Sequence, residues 1–173
     1  MTIARRFSAG ESQEGRPSPV GTPEKVPHTY VSSLFHCVFS TKGRRGLIPS
    51  DRQTDLFAYL GGIARQNGFK ALAIGGTDDH VHVLLSLPAT IPLAKAIQLI
   101  KGGSSKWMHD SGWHNFAWQE GYGAFSLGIS QQADTIAYIR SQLEHHHKRG
   151  FEEEFSAFLK KHGIEYDPRY AWG

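Results

Sequence analysis

The stretch TDDHVHVLLSLP, residues 77–88, sets His80 and His82 one residue apart at the head of an apolar run. In a β-strand successive side chains point to opposite faces. Both imidazoles then share one face, while Val81, Val83, Leu85 and Leu87 share the other. Two neighbouring neutral imidazoles can hold one divalent ion. Two solvated histidines on the outward face of an edge strand would show the same spacing, which leaves both readings open. Asp78 and Asp79, just before the pair, either orient an imidazole by accepting its second N–H or favour the turn.

A second constellation lies in QQADTIAYIRSQLEHHHKR, residues 131–149. At roughly 100° per helical residue, Ile136, Ile139 and Leu143 form an apolar stripe, and Tyr138, Gln142 and His145 fall together on an adjacent polar face. A phenol that can act as nucleophile would thus stand one turn from a carboxamide that can ligate a metal. The alternative is that Tyr138 packs at the edge of a core and Gln142 is solvated. His145, His146 and His147 fan out around a helix and cannot all reach one ion, so a solvated or dipole-complementing role at a helix C-terminus is expected.

These groups need a scaffold, and the composition supplies one. The chain has 173 residues, 39% hydrophobic and 20% charged, with ten Phe, six Tyr and four Trp. That is the profile of one globular domain with a core of its own. Residues 1–27 are rich in Gly, Pro, Ser and charge without apolar periodicity, which predicts a flexible tail ahead of a single domain over 28–173. The single Cys37 has no disulfide partner in the chain and reads as a small buried residue. No apolar run reaches the roughly 18–20 residues of a membrane span, and no signal-peptide core is present, so a cytoplasmic protein is expected. A net charge of +3 permits a polyanionic partner without demanding one.

Alternation over HTYVSSLFHCVF predicts a first strand, followed by the basic turn STKGRRG. Ser50, with Gln53 three residues on, reads as the cap of a helix carrying Leu56, Tyr59, Leu60 and Ile63 and closed by Asn67-Gly68. FKALAIGG and HVHVLLSLP read as an antiparallel pair joined by GGTDD. A second helix starts near Thr90 and Pro92 and is weakened by the glycines of KGGSSKWMHD. WHNFAWQEGYGAFSLGI suggests an extended or bulged strand with loops. A third helix follows, capped by Ser130, and FEEEFSAFLKKHG makes a fourth. The order β-α-β-β-α-β followed by helices predicts an α+β, ferredoxin-like antiparallel sheet.

Two basic groups are candidates for phosphate contact: Lys42, Arg44 and Arg45 in one turn, and Lys101 and Lys106 with Ser104 and Ser105 in another. Trp107, Trp113, Phe116 and Trp118 either stack on bases or pack in the core. A Gly-x-x-x-x-Gly-Lys loop is absent, so no nucleotide cofactor is expected.

Taken in order, STKGRRG after a strand containing His36, then DHVHVLL, QEGYGAFSLGIS and YIRSQLEHH resemble the single-tyrosine HUH transposases, the small insertion-sequence transposases and their repeat-associated relatives. The likeness runs from about His28 to the C-terminus. It implies that His80 and His82 are the HUH pair, Tyr138 the nucleophile, and Gln142 the third protein ligand of a Mg²⁺ or Mn²⁺ ion. It also implies a homodimer, in which the tyrosine helix of one subunit can complete the histidine site of the other, and a single-stranded DNA substrate carrying hairpins. The reaction implied is nicking and rejoining through a 5′-phosphotyrosine. A domesticated hairpin-processing nuclease and a non-catalytic single-stranded nucleic-acid-binding module are the competing readings.

Overall fold

Four strands, β1 (Leu34–Ser40), β2 (Lys70–Gly76), β3 (His80–Ser86) and β4 (Gly123–Leu127), pair into one antiparallel sheet in the order β2-β3-β1-β4. The computed structural model describes residues 30–142 and 150–167; the tail expected over 1–27 and the run His145–His147 lie outside the described residues. With α1 (Gln53–Gln66) between β1 and β2 and α2 (Leu93–Asp110) between β3 and β4, the topology is ferredoxin-like, as the element order predicts.

The strand period of two decides what each sheet face carries. Cys37 and Phe39 of β1 and Val81, Val83 and Leu85 of β3 turn to one side. There they form the main core with Leu56 and Leu60 of α1 and Ile97 and Ile100 of α2. A fully buried side chain of this kind contributes about 1.5–3 kcal/mol, so this layer fixes the sheet. The opposite face carries His36, Val38, His80, His82, Leu84 and Phe125. It is covered by α3 (Gln132–Arg140) and α4 (Phe151–Lys161), through Leu84 against Ile139 and through Val38 and Phe125 against Phe151 and Leu159.

Two glycines on the second face let its helices come close. A Cβ on Gly75 of β2 would collide with the Ile139 carbonyl oxygen of α3, and one on Gly123 of β4 would run into the Phe155 ring of α4.

Several local expectations are corrected. Ser50 opens a 3₁₀ turn, Ser50–Arg52, rather than capping α1, whose N-terminus has no side-chain cap. Asn67 does close α1, with its Nδ2 donating 2.8 Å to the Ile63 carbonyl, and Gly68 takes φ +77°. Gly102 and Gly103 leave α2 continuous, so Lys101, Ser104, Ser105 and Lys106 lie on a helix and not in a turn. The aromatic stretch before β4 is mostly loop, with one isolated bridge from Thr41 to Trp118. Ser130 sits inside a 3₁₀ turn, Ile129–Gln131, that leads into α3.

Candidate active site

β3 is an inner strand, hydrogen-bonded to β1 on one side and β2 on the other, so its histidines are not edge residues. Both His80 and His82 are 0% exposed, and their ring centroids are 5.1 Å apart. Burying two imidazoles requires that each find polar partners. Asp79 Oδ1 lies 2.6 Å from His80 Nδ1, and the Thr77 hydroxyl lies 2.9 Å from the same nitrogen while donating to Asp79. A carboxylate accepts the Nδ1 proton, so the ring presents Nε2 as its donor to a metal.

His82 is steered by a third histidine. His36 Nε2 lies 2.9 Å from His82 Nδ1, both rings buried. Burial first, then the neighbouring charges of His82, His162 and Lys161, hold His36 far below the ordinary imidazole value, at about 3. A neutral His36 accepts at Nε2 when His82 donates from Nδ1, and this directs the lone pair of His82 Nε2 the other way.

α3 rests on β2 at Gly75 and carries Tyr138 over the same face. The phenol ring stands 5.9 Å from His82, 6.0 Å from His36 and 5.8 Å from Phe158 between ring centroids, in near-perpendicular contacts. Within one chain, therefore, the tyrosine and the histidines are already adjacent. A cleft of about 320 Å³ opens beside Tyr138, walled by His36, Gln131, Asp134, Lys161 and His162.

Gln142 is also at this site, buried to 1% exposure. Its Nε2 donates 3.0 Å to Glu154 Oε1, and its Oε1 makes no hydrogen bond among the described residues. Glu154 was not anticipated as a site residue. Its side chain is 12% exposed, and Oε2 lies 3.6 Å from His82 Nε2. Burial raises its carboxyl to about 7 against the opposing pull of His80. One signal does exist in the sequence: Glu154 falls three residues after Phe151 and four before Phe158, on the inward stripe of α4, whereas Glu152 and Glu153 are exposed. Local periodicity places it on the buried side of its helix but says nothing of what it faces.

The ligand atoms of His80, His82 and Glu154 lie within 4.8 Å of one another. Donors around a six-coordinate ion at about 2.1 Å are roughly 3.0 Å apart when adjacent and roughly 4.2 Å when opposite, so the group need close by only roughly 0.6 Å at its widest to hold one divalent cation.

The candidate phosphate-binding residues fare unequally. Lys42 opens the 3₁₀ turn Lys42–Arg44, where Gly43 and Arg44 adopt positive φ, and Arg45 follows it in extended conformation; both Lys42 and Arg45 are exposed. Arg44 is paired with Glu152 of α4 at 2.7 Å. Lys101 is half-buried and donates to the carbonyls of Gln119 and Gly121, which makes it an anchor of the loop before β4. Ser104 is corrected outright: it is fully buried, donates to the Ile100 carbonyl and accepts from Trp118 Nε1. Ser105 is partly exposed, and Lys106 is exposed and paired with Asp110. Trp118 packs on Phe39 and Phe116, and Trp107 stacks on Tyr59, so these aromatic rings are engaged within the protein.

The family profile described as "Transposase IS200 like" matches residues 29–142. The chain belongs to the IS200-like transposases. Among curated relatives, this transposase is 26% identical to the ISDra2 transposase TnpA of Deinococcus radiodurans over 65% of its own length and 86% of that protein. It is 25% identical to the transposase for insertion sequence element IS200 of Salmonella typhimurium over 72% and 86%. Two solved structures share the fold. One is of a Deinococcus radiodurans protein described as a transposase candidate, with TM-score 0.55, 23% identity and coverage of 69% of this chain and 98% of that one. The other is a REP-associated tyrosine transposase bound to a REP hairpin, with TM-score 0.53, 16% identity and coverage of 72% and 74%. The family match ends at Gln142, so α4 and Glu154 lie beyond it.

Proposed function

We propose that this IS200-like transposase nicks and rejoins single-stranded DNA, with Tyr138 as nucleophile and a divalent ion on His80 and His82. The observation that carries the reading is the closeness of the Tyr138 ring to His82 on one face of the sheet. Residues 28–173 act as one catalytic domain, with 1–27 outside it.

His80 and His82, with Gln142 as the third protein ligand that the family resemblance assigns, would hold a Mg²⁺ or Mn²⁺ ion, whose chemistry when bound would be Lewis-acid polarisation of the scissile phosphate. Asp79 and His36 hold the two rings in the tautomers that coordination needs. The phenolic oxygen of Tyr138 forms a bond to phosphorus as the bond to the 3′-oxygen breaks. The tyrosine proton is lost, the 3′-oxygen gains one, and the strand is left joined to the protein through a 5′-phosphotyrosine. Because the ester bond is conserved, a 3′-hydroxyl can later attack it and restore the diester without ATP. Arg44 reaches α4 at Glu152, and with Lys42 and Arg45 in the same basic stretch it suits the DNA backbone. The substrate is single-stranded DNA with hairpins, in keeping with the hairpin bound by the structural relative, and the protein works as a homodimer in the cytoplasm.

Incubation with labelled single-stranded DNA from the flanks of the gene and Mn²⁺ should give a covalent protein–DNA adduct. Tyr138→Phe should lose the adduct and keep DNA binding, and His80→Ala should lose metal-dependent nicking. An adduct that persists in the phenylalanine variant refutes the assignment of Tyr138. Paired hairpins flanking this one gene would mark an insertion sequence; scattered genomic repeats would mark a domesticated hairpin-processing enzyme.

A further inference from the structure

We propose that Glu154, delivered by α4, is a ligand of the same divalent ion, and that Gln142 also acts as the brace that holds its carboxylate in place. This rests on the reading of His80 and His82 as metal ligands and adds an anionic donor to them.

Three observations carry the inference. First, the Glu154 carboxylate and the two imidazoles are mutually within 4.8 Å on the covered face of the sheet, closer than independent surface groups need to be. Second, the separation of 3.6 Å between Glu154 Oε2 and His82 Nε2 is too long for a hydrogen bond and matches two donors on one cation. Third, the other carboxylate oxygen is fixed from behind by Gln142 Nε2 at 3.0 Å, so the acid is oriented rather than mobile.

Packing sets the rest. Phe151 stacks on Phe155 and lies 4.8 Å from the His80 ring, while Phe158 stacks on Phe125 and stands 4.9 Å from His36. These rings seat α4 on the sheet with Glu154 between them, and Gly123 gives Phe155 its room. An acid on the inward stripe of a helix needs polar partners, and Gln142 supplies one of them. Two histidines and one carboxylate form a donor set suited to Mn²⁺ and other first-row ions more than to Mg²⁺, which prefers oxygen throughout. The ion would retain a net charge of +1 within the protein, enough to attract a phosphodiester while being held more firmly than by neutral donors alone.

The test is Mn²⁺ binding to the full chain without DNA, followed by calorimetry and by electron paramagnetic resonance. Glu154→Gln, which preserves shape and removes charge, should weaken Mn²⁺ binding by about tenfold or more, and His80→Ala should abolish it. Wild-type affinity in Glu154→Gln alongside lost binding in His80→Ala would overturn the role of Glu154 and leave the histidine site standing. Unchanged binding in His80→Ala would instead remove the metal reading itself. Should the glutamine variant not fold by circular dichroism, crystals of the wild-type protein soaked in Mn²⁺ decide. An anomalous peak bonded to His80, His82 and a Glu154 oxygen supports the proposal, and a peak on the histidines with Glu154 turned away refutes it.

Discussion

His36 Nε2 approaches His82 Nδ1 to 2.9 Å, so a histidine on β1 orients the candidate ligand on β3 in the place where an acid orients His80. The two halves of the pair are thus held by different chemistry. The imidazole partner leaves no extra negative charge beside the site, whereas Asp79 brings one.

Replacing His36 by Phe keeps an aromatic ring against Phe158 and Phe125 and removes the acceptor for His82. Mn²⁺ affinity should fall about 10- to 100-fold with the far-ultraviolet circular dichroism spectrum unchanged. Unaltered affinity would show that His82 orients itself without His36.

Gly75→Ala inserts a methyl group against the Ile139 carbonyl and must displace α3 or the strand. A loss of about 1–3 kcal/mol in urea unfolding is expected, together with a fall in adduct yield greater than any change in DNA binding. Equal losses of binding and adduct would point to general unfolding instead.

Ser104→Ala separates a structural serine from a phosphate-binding one. Its hydroxyl joins Trp118 to the turn of α2 at Ile100. Stability should drop by about 1–3 kcal/mol as the buried indole N–H loses its acceptor, while affinity for single-stranded DNA stays within twofold of wild type. Weaker DNA binding at full stability would reinstate the serine as a DNA contact.

Burial pushes the Cys37 thiol up to about 12. Its folded value lies above the unfolded one, so the native state keeps a proton that the unfolded chain gives up. The associated stability is fully present below about 9 and is lost as pH rises from there toward 12. Between pH 8.5 and 10.5, wild type should lose more stability than Cys37→Ala, and iodoacetamide should label Cys37 only after denaturation.

The sheet and its two faces were legible because strand alternation is local. The periods of β1 and β3 put Val81 and Val83 in one core and aligned His80 with His82 on the other face, and paired glycines and aspartates marked the turn. Tyr138 could be placed beside the histidines only through the family resemblance, since helical spacing relates it to Gln142 and to nothing on the sheet. Glu154 escaped notice because α4 folds back across the sheet from a distant part of the chain, and its triple glutamate reads locally as the acidic first turn that any helix dipole favours. The expected phosphate contact at Ser104 failed for a similar reason. A serine beside a lysine looks polar in sequence, but its place on α2 turns it inward to Trp118.

Arg44 meets Glu152, and His82 meets Glu154, on successive parts of one helical turn. α4 therefore sets one carboxylate against the basic turn and another, on a different side of the helix, against the histidine pair. Under the proposed function, DNA reaching Arg44 would exchange one anion for another instead of stripping mobile counterions from a bare cation. Entry of the strand would then be a substitution between a tethered acid and a free one, and the gain from releasing salt into solution would be correspondingly reduced.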